Sequence, residues 1–218
     1  MLAAQDEFDR QFTRLRELGY PVTEYVTALR ARATDPGPSH VDPDDHIPFV
    51  LVVPGTDYEQ TAPLMSLNER NGFHAMDDGD VDVYRSIVQI PEQAYLLTDI
   101  DTGAEFRTVT PETALKTILA RGRTPLTIDE GIALVVVRPD MLRKNKCFSL
   151  AASRGKGQRV PAIWISDRRP KLGWAGIAIR IPGWEPHRAG DGSPCSGWRN
   201  SWSSRLATYV KSSPRGRH

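Results

Sequence analysis

Cysteine is scarce in this chain. Only Cys147 and Cys195 occur in 218 residues, too few on their own for a disulfide framework or a four-ligand zinc site. Long apolar runs are missing too. Nothing approaches the ~18 residues that read as a membrane span, so no membrane partner is expected. The opening MLAAQDEFDRQ places acids where a secretory leader needs a basic start and an apolar run. The expectation is therefore a cytoplasmic protein. Internal repeats are absent. RGKGQR lacks the GxxxxGK[ST] pattern and the helix that should follow it, so it reads as a hairpin turn and not a phosphate loop. No cofactor and no metal are expected.

What is present is ordinary for a globular domain, with 39% hydrophobic and 25% charged residues. The formal net charge of +1 hides a segregation. Residues 35–112 hold 16 acids and three basic residues, whereas residues 121–174 hold 12 basic residues and four acids. Packing of one half on the other would neutralise both. A basic face for an anionic ligand is the competing reading. Residues 1–174 alone carry 21 basic and 25 acidic residues, a net of −4. A nucleic-acid partner is not expected on that balance.

Apolar spacing predicts a helix over residues 5–18, stopped at Gly19, and a second helix starting near Pro21 to Thr23. DPGPSHVDPDD reads as a linker and IPFVLVV as a buried strand. NERNGF and DDGDVD, within residues 57–84, read as exposed loop. QAYLLTDIDTG is a strand closed by a turn. TPETALKTILARG is a helix with Thr110 as N-cap and Pro111 at its first position. In TIDEGIALVVV, Thr127 and Glu130 have the spacing of a capping box, which predicts a short buried helix. CFSLAASR and RVPAIWIS form a hairpin around RGKGQR, and PKLGW starts a third strand.

Chemistry has few candidates. Cys147 lies beside Lys144 and Lys146, cations that favour a thiolate, but a cysteine entering a strand is more often a small buried hydrophobe. A nucleophile also needs a base, and His40, His46 and His74 all fall in expected loops. Glu130 is a catalytic candidate that capping already explains. Adjacent Asp129 points about 100° away, so the two are not a paired-carboxylate site. Asp99 and Asp101 read as a turn after a strand. Gly131 inside an apolar helix calls for close packing or a ligand. Arg121, Arg123, Lys144, Lys146, Arg154 and Arg159 form the candidate ligand-binding surface, suited to phosphate or carboxylate.

RTPLTIDEGIAL, KNKCFSLA, RVPAIWIS and PKLGW resemble an actinobacterial family catalogued only as domain of unknown function 5701. The likeness extends more loosely over IPFVLVV, YLLTDIDTGAEF and the N-terminal FDRQ helix. The resemblance implies a C-terminus like CWAGNPHTWLGSASC after PKLGW, where this chain runs on as AGIAIRIPGWEPHRAGD. One T inserted after the Trp174 codon, with permitted synonymous codons, restores CWDRNPHPWLGTASCR and a stop. The 44 residues 175–218, with three of the five tryptophans, therefore read as frame-shifted.

The resulting expectation is a single α+β domain with an antiparallel sheet. N-terminal helices occupy 1–34, a linker 35–46, the core 47–174, and a disordered or poorly packed tail 175–218. Its expected role is binding or accessory, without an identifiable catalytic centre. The alternative is an enzyme acting on an anionic small molecule with Cys147 as nucleophile. Sequencing the gene tests the tail directly. The codons of Ala175 to Asp191 should read NPHPWLG in the neighbouring frame, and codons that cannot do so would make the tail a true divergence.

Overall fold

A computed structural model describes residues 2–35, 43–55, 57–76, 84–106, 109–143, 147–155, 160–175, 207–208 and 210–212. The expected RGKGQR turn and DDGDVD loop lie mostly or wholly outside these residues. So does most of the tail after Trp174, although its two described stretches enter the sheets.

The helices are α1 (Leu2–Glu17), α2 (Glu24–Ala28), α3 (Tyr58–Thr61), α4 (Pro111–Ala120) and α5 (Ile128–Val137). The longer strands are β1 (His46–Val52), β6 (Tyr95–Asp101), β10 (Val160–Ser166) and β11 (Arg169–Ala175). Shorter ones are β2 (Ser66–Leu67), β3 (Arg70–Asn71), β4 (Phe73–His74), β5 (Arg85–Ser86), β7 (Arg123–Pro125), β8 (Phe148–Ser149), β9 (Ser153–Arg154), β12 (Ala207–Thr208) and β13 (Val210–Ser212). A four-stranded sheet runs β1-β6-β13-β7 and a five-stranded one β12-β8-β10-β11-β4; β2–β3 and β5–β9 are separate ladders. This is the α+β arrangement expected.

α5 occupies the centre. Every residue of it except Asp129 is buried, as fits a helix that is apolar all round. Its Gly131 is explained by packing, because a Cβ there would lie 2.2 Å from Leu150 Cδ2. β10 is buried on both faces. Ile163 joins the main core, while Trp164 packs with Ala162 and Cys147 on the other side. Trp164 covers Gly173 of β11, leaving no room for a side chain there.

NERNGF is not simply loop. Asn68 and Glu69, both at positive φ, make the turn of the β2–β3 hairpin, and Phe73 pairs in parallel with Lys171 of β11. The expected antiparallel pairing of CFSL with RVPAIWIS is present between β8 and β10. A second two-residue hairpin joins β10 and β11 at Asp167 and Arg168, again at positive φ, where Asn-Gly is the familiar choice.

The FDRQ residues tie α1 to its neighbours. Phe8 enters the core, Asp9 pairs with Arg30 at 2.7 Å, and Arg10 donates to the carbonyl of Val137 at 2.8 Å. Gln11 is wholly buried. Its Nε2 donates to the Phe49 carbonyl at 3.1 Å and its Oε1 accepts from the Leu51 amide at 2.8 Å. One side-chain amide thus takes the place of a neighbouring strand along β1. Gln11→Ala would leave both groups unpaired, at about 1–3 kcal/mol each. Urea unfolding should show a loss of about 2–6 kcal/mol, and a loss under about 1 kcal/mol would remove this role.

Candidate functional site

Three clusters of ionisable groups stand out. The first lies where β6 leaves the sheet. Asp99 has a φ of 51° inside a strand, a conformation that costs a non-glycine residue energy. Across the ladder stands Pro48, which has no N–H to give, and the register skips this pair. Arg123 of β7 holds the kinked segment. Its Nη1 bonds the Asp99 carboxylate, and its Nη2 donates to the Asp99 carbonyl at 2.6 Å and to Asp101 Oδ2 at 2.9 Å. His46 Nε2 lies 3.2 Å from Asp99 Oδ1. His46 is the first residue of β1 and buried, not in a loop as expected. Asp101 Oδ1 accepts from the Gly103 amide at 2.8 Å, closing the expected turn. Burial raises the pKa of Asp101, against the pull of Gly103 and Arg123.

The second cluster is at the start of α5. The capping box forms, with Thr127 Oγ1 accepting from the Glu130 amide at 3.3 Å and Glu130 Oε2 from the Thr127 amide at 2.8 Å. The other oxygen of Glu130 accepts from the Tyr95 hydroxyl at 2.7 Å. Beside it, burial and the Glu130 charge raise Asp129 to about 6. Burial, with Asp129 second, raises Tyr20 to about 12. Burial and then Glu130 push Tyr95 up as well. Sequence reasoning separated Asp129 from Glu130 by helical angle, yet the two carboxyls remain electrostatically coupled.

The third cluster contains Arg154, directly opposite Arg85 on the β5–β9 ladder, where like charges are unfavourable. Arg154 Nε donates to the Ala151 carbonyl at 3.1 Å, and Nη1 lies 3.5 Å from Glu112. Its buried Nη2 has no hydrogen-bond partner. Burial lowers the pKa of Arg154, with Glu112 opposing.

The expected basic surface is thus divided. Arg121 pairs with Glu105 at 2.5 Å, Arg123 clamps β6, and Arg154 stands beside Arg85. Lys144, Lys146 and Arg159 lie outside the described residues. Cys147 is half-buried, unoxidised and packed against Ala162 and Trp164. Among the described residues no group of three or more His, Cys, Asp or Glu is arranged to hold a metal ion, and no helix is long and apolar enough to cross a membrane.

Residues 14–178, about three quarters of the chain, match the model described as Family of unknown function (DUF5701). The chain belongs to this family. No curated protein and no solved structure matches it. The DUF5701 stretch contains all three clusters, whereas Gln11 precedes it and β12 and β13 follow it.

Asp129 gives the α5 cluster a pH signature. The folded protein keeps its proton to about pH 6 and the unfolded chain only to about pH 4. Stability therefore drops as pH rises from 4 to 6, by up to about 3 kcal/mol from this group. Asp129→Asn should remove that loss, so its stability relative to wild type should climb across this window in urea titrations. A constant difference between the proteins from pH 4 to 7 would refute the shift.

Proposed function

We propose that this is a cytoplasmic actinobacterial protein with a binding or accessory role and no identifiable catalytic centre. The supporting observation is how its charges are used. Arg121 with Glu105, Arg123 with Asp99 and Asp101, Arg143 with Asp45, and Arg154 with Glu112 each join the basic half to the acidic half. Glu130 is engaged by Thr127 and Tyr95. His46 is held at Asp99 and His74 lies edge-on to Tyr58, while Cys147 packs on apolar neighbours. Among the described residues, the candidate nucleophile and bases are engaged in the fold.

The 175–218 segment belongs to this proposal as an out-of-frame extension. The family match ending at 178, four residues past Trp174, agrees with that reading.

A second reading is favoured by one observation, the opposed Arg85 and Arg154 with the unpartnered Nη2. An anion between them would relieve the repulsion and take a charge-assisted bond. It would be the ligand of an enzyme acting on anionic small molecules, with Cys147 as the candidate nucleophile.

A thermal-shift screen of small anions, with mass analysis of each recovered compound, separates the two. A ligand at 100 times its Kd adds about 2.7 kcal/mol. The binding role predicts a saturable shift, an unchanged ligand and no effect of Cys147→Ala. Turnover of the ligand, lost in Cys147→Ala, would overturn it in favour of the enzyme. A shift abolished by Arg154→Gln would place the anion at Arg85 and Arg154.

A further inference from the structure

Acids and bases of the two halves pair across this molecule, yet the acidic half sends its own arginines to the basic half. Residues 35–112 hold Arg70, Arg85 and Arg107 against 16 acids. Arg85 faces Arg154. Arg70 goes to the β10–β11 turn, where its Nη1 donates at 3.4 Å to the Asp167 carbonyl, in the peptide bond that leads to Arg168. The tip of the β2–β3 hairpin thus touches the tip of the β10–β11 hairpin. The basic residues gathered there are Arg70, Arg168, Arg169 and Lys171, and the acids of the two turns are Glu69 and Asp167.

Little neutralises this end of the fold. Arg169 lies 3.8 Å from the Asp167 carboxylate, too far for a hydrogen bond, and its buried Nε has no acceptor. Arg168 makes no hydrogen bond or ion pair among the described residues. The Arg169 guanidinium rests on the Phe73 ring at 4.3 Å, with the Lys171 ammonium 5.5 Å from the same ring. Cation–π contact fixes such groups without cancelling their charge. The turn itself carries a second sign. Arg168 has a φ of 60°, at a turn position where glycine is relaxed and a side chain costs energy. It is also exposed, so packing does not offset that strain.

We infer that the adjoining tips of the β2–β3 and β10–β11 hairpins are a docking surface for an acidic segment of a partner protein, gripped by Arg70, Arg168 and Arg169. Charge complementarity selects this partner. Guanidinium groups take carboxylates through paired N–H bonds, and three of them spread over two exposed tips suit carboxylates spread along a chain. A small ligand is held in a concave site instead. The net of −4 over residues 1–174 disfavours nucleic acid as the occupant. The surface lies within the DUF5701 stretch. This inference rests on the binding role proposed above and names its partner. The two fail separately: an acidic peptide that does not bind leaves a small anion at Arg154 standing, and an empty anion screen leaves the hairpin surface untouched.

The test titrates the full chain into a fluorescein-labelled peptide of alternating glutamate and serine, read by anisotropy. Binding should saturate and should weaken as salt rises. Arg168→Gly should weaken it by about fivefold, while the melting temperature stays level or rises because glycine relaxes the turn. Arg168→Gln removes the charge without freeing the backbone, and should weaken binding equally. Adding Arg70→Gln to Arg168→Gly should abolish binding, whereas Arg154→Gln should leave it unchanged. Absence of binding to the wild-type chain overturns the inference. So does binding that survives both Arg168 variants, because the guanidinium would then serve the turn alone. Loss of binding in Arg154→Gln would move the acidic segment to Arg85 and Arg154. Tighter binding of a single-stranded oligonucleotide of equal charge would replace the acidic segment with nucleic acid.

Discussion

The β1–β6 ladder holds the sheet together, and its two outer edges are covered by unequal means. β1 is buried along most of its length, and a buried N–H or C=O left without a partner costs about as much as a lost hydrogen bond. The Gln11 side chain closes the β1 edge, giving one donor and one acceptor where a strand would stand. β13 covers only the end of the β6 edge, at Asp101, with β7 beyond it. Neither closing element lies in the stretch shared with the family. The shared domain supplies the ladder and its flanking chain supplies the closures.

This arrangement ties charge to architecture. Arg123 is needed on β7 because β6 kinks at Asp99, opposite a proline that cannot continue the ladder. The guanidinium takes the exposed carbonyl and both carboxylates of that kink. Similar pairs at Glu105, Glu112 and Asp45 join the acidic first half to the basic second half. Among the described residues, these pairs hold the two unevenly charged halves together. Arg85 against Arg154, and Asp129 beside Glu130, are two places where like charges stay together. They mark where a ligand or a proton has most to offer.

Local signals were legible wherever a local interaction decides the structure. Thr110 and Pro111 set the start of α4, and Thr127 with Glu130 set that of α5, because a cap is completed within four residues. β1, β6 and β10 were plain from their apolar runs. The turns were harder. Asn68–Glu69 and Asp167–Arg168 adopt left-handed conformations without the glycine that usually announces them. Least legible were pairings across long separations. Gln11 meets Phe49 and Leu51, His46 meets Asp99, and Tyr95 meets Glu130. Spacing along the chain carries no trace of such meetings. The charge asymmetry did announce that the halves would pair, though not which residues would do so.

Native-state hydrogen exchange of the full chain tests the central claim most directly, since it compares the two closures in one molecule. The Leu51 amide, held by a wholly buried glutamine, should exchange only through global unfolding. The amides of residues 210–212, in a three-residue strand beyond the family stretch, should exchange much faster, while β1 and β6 stay paired. Exchange of both groups at the same global rate would contradict the account, because β13 would then be as integral to the domain as the Gln11 closure.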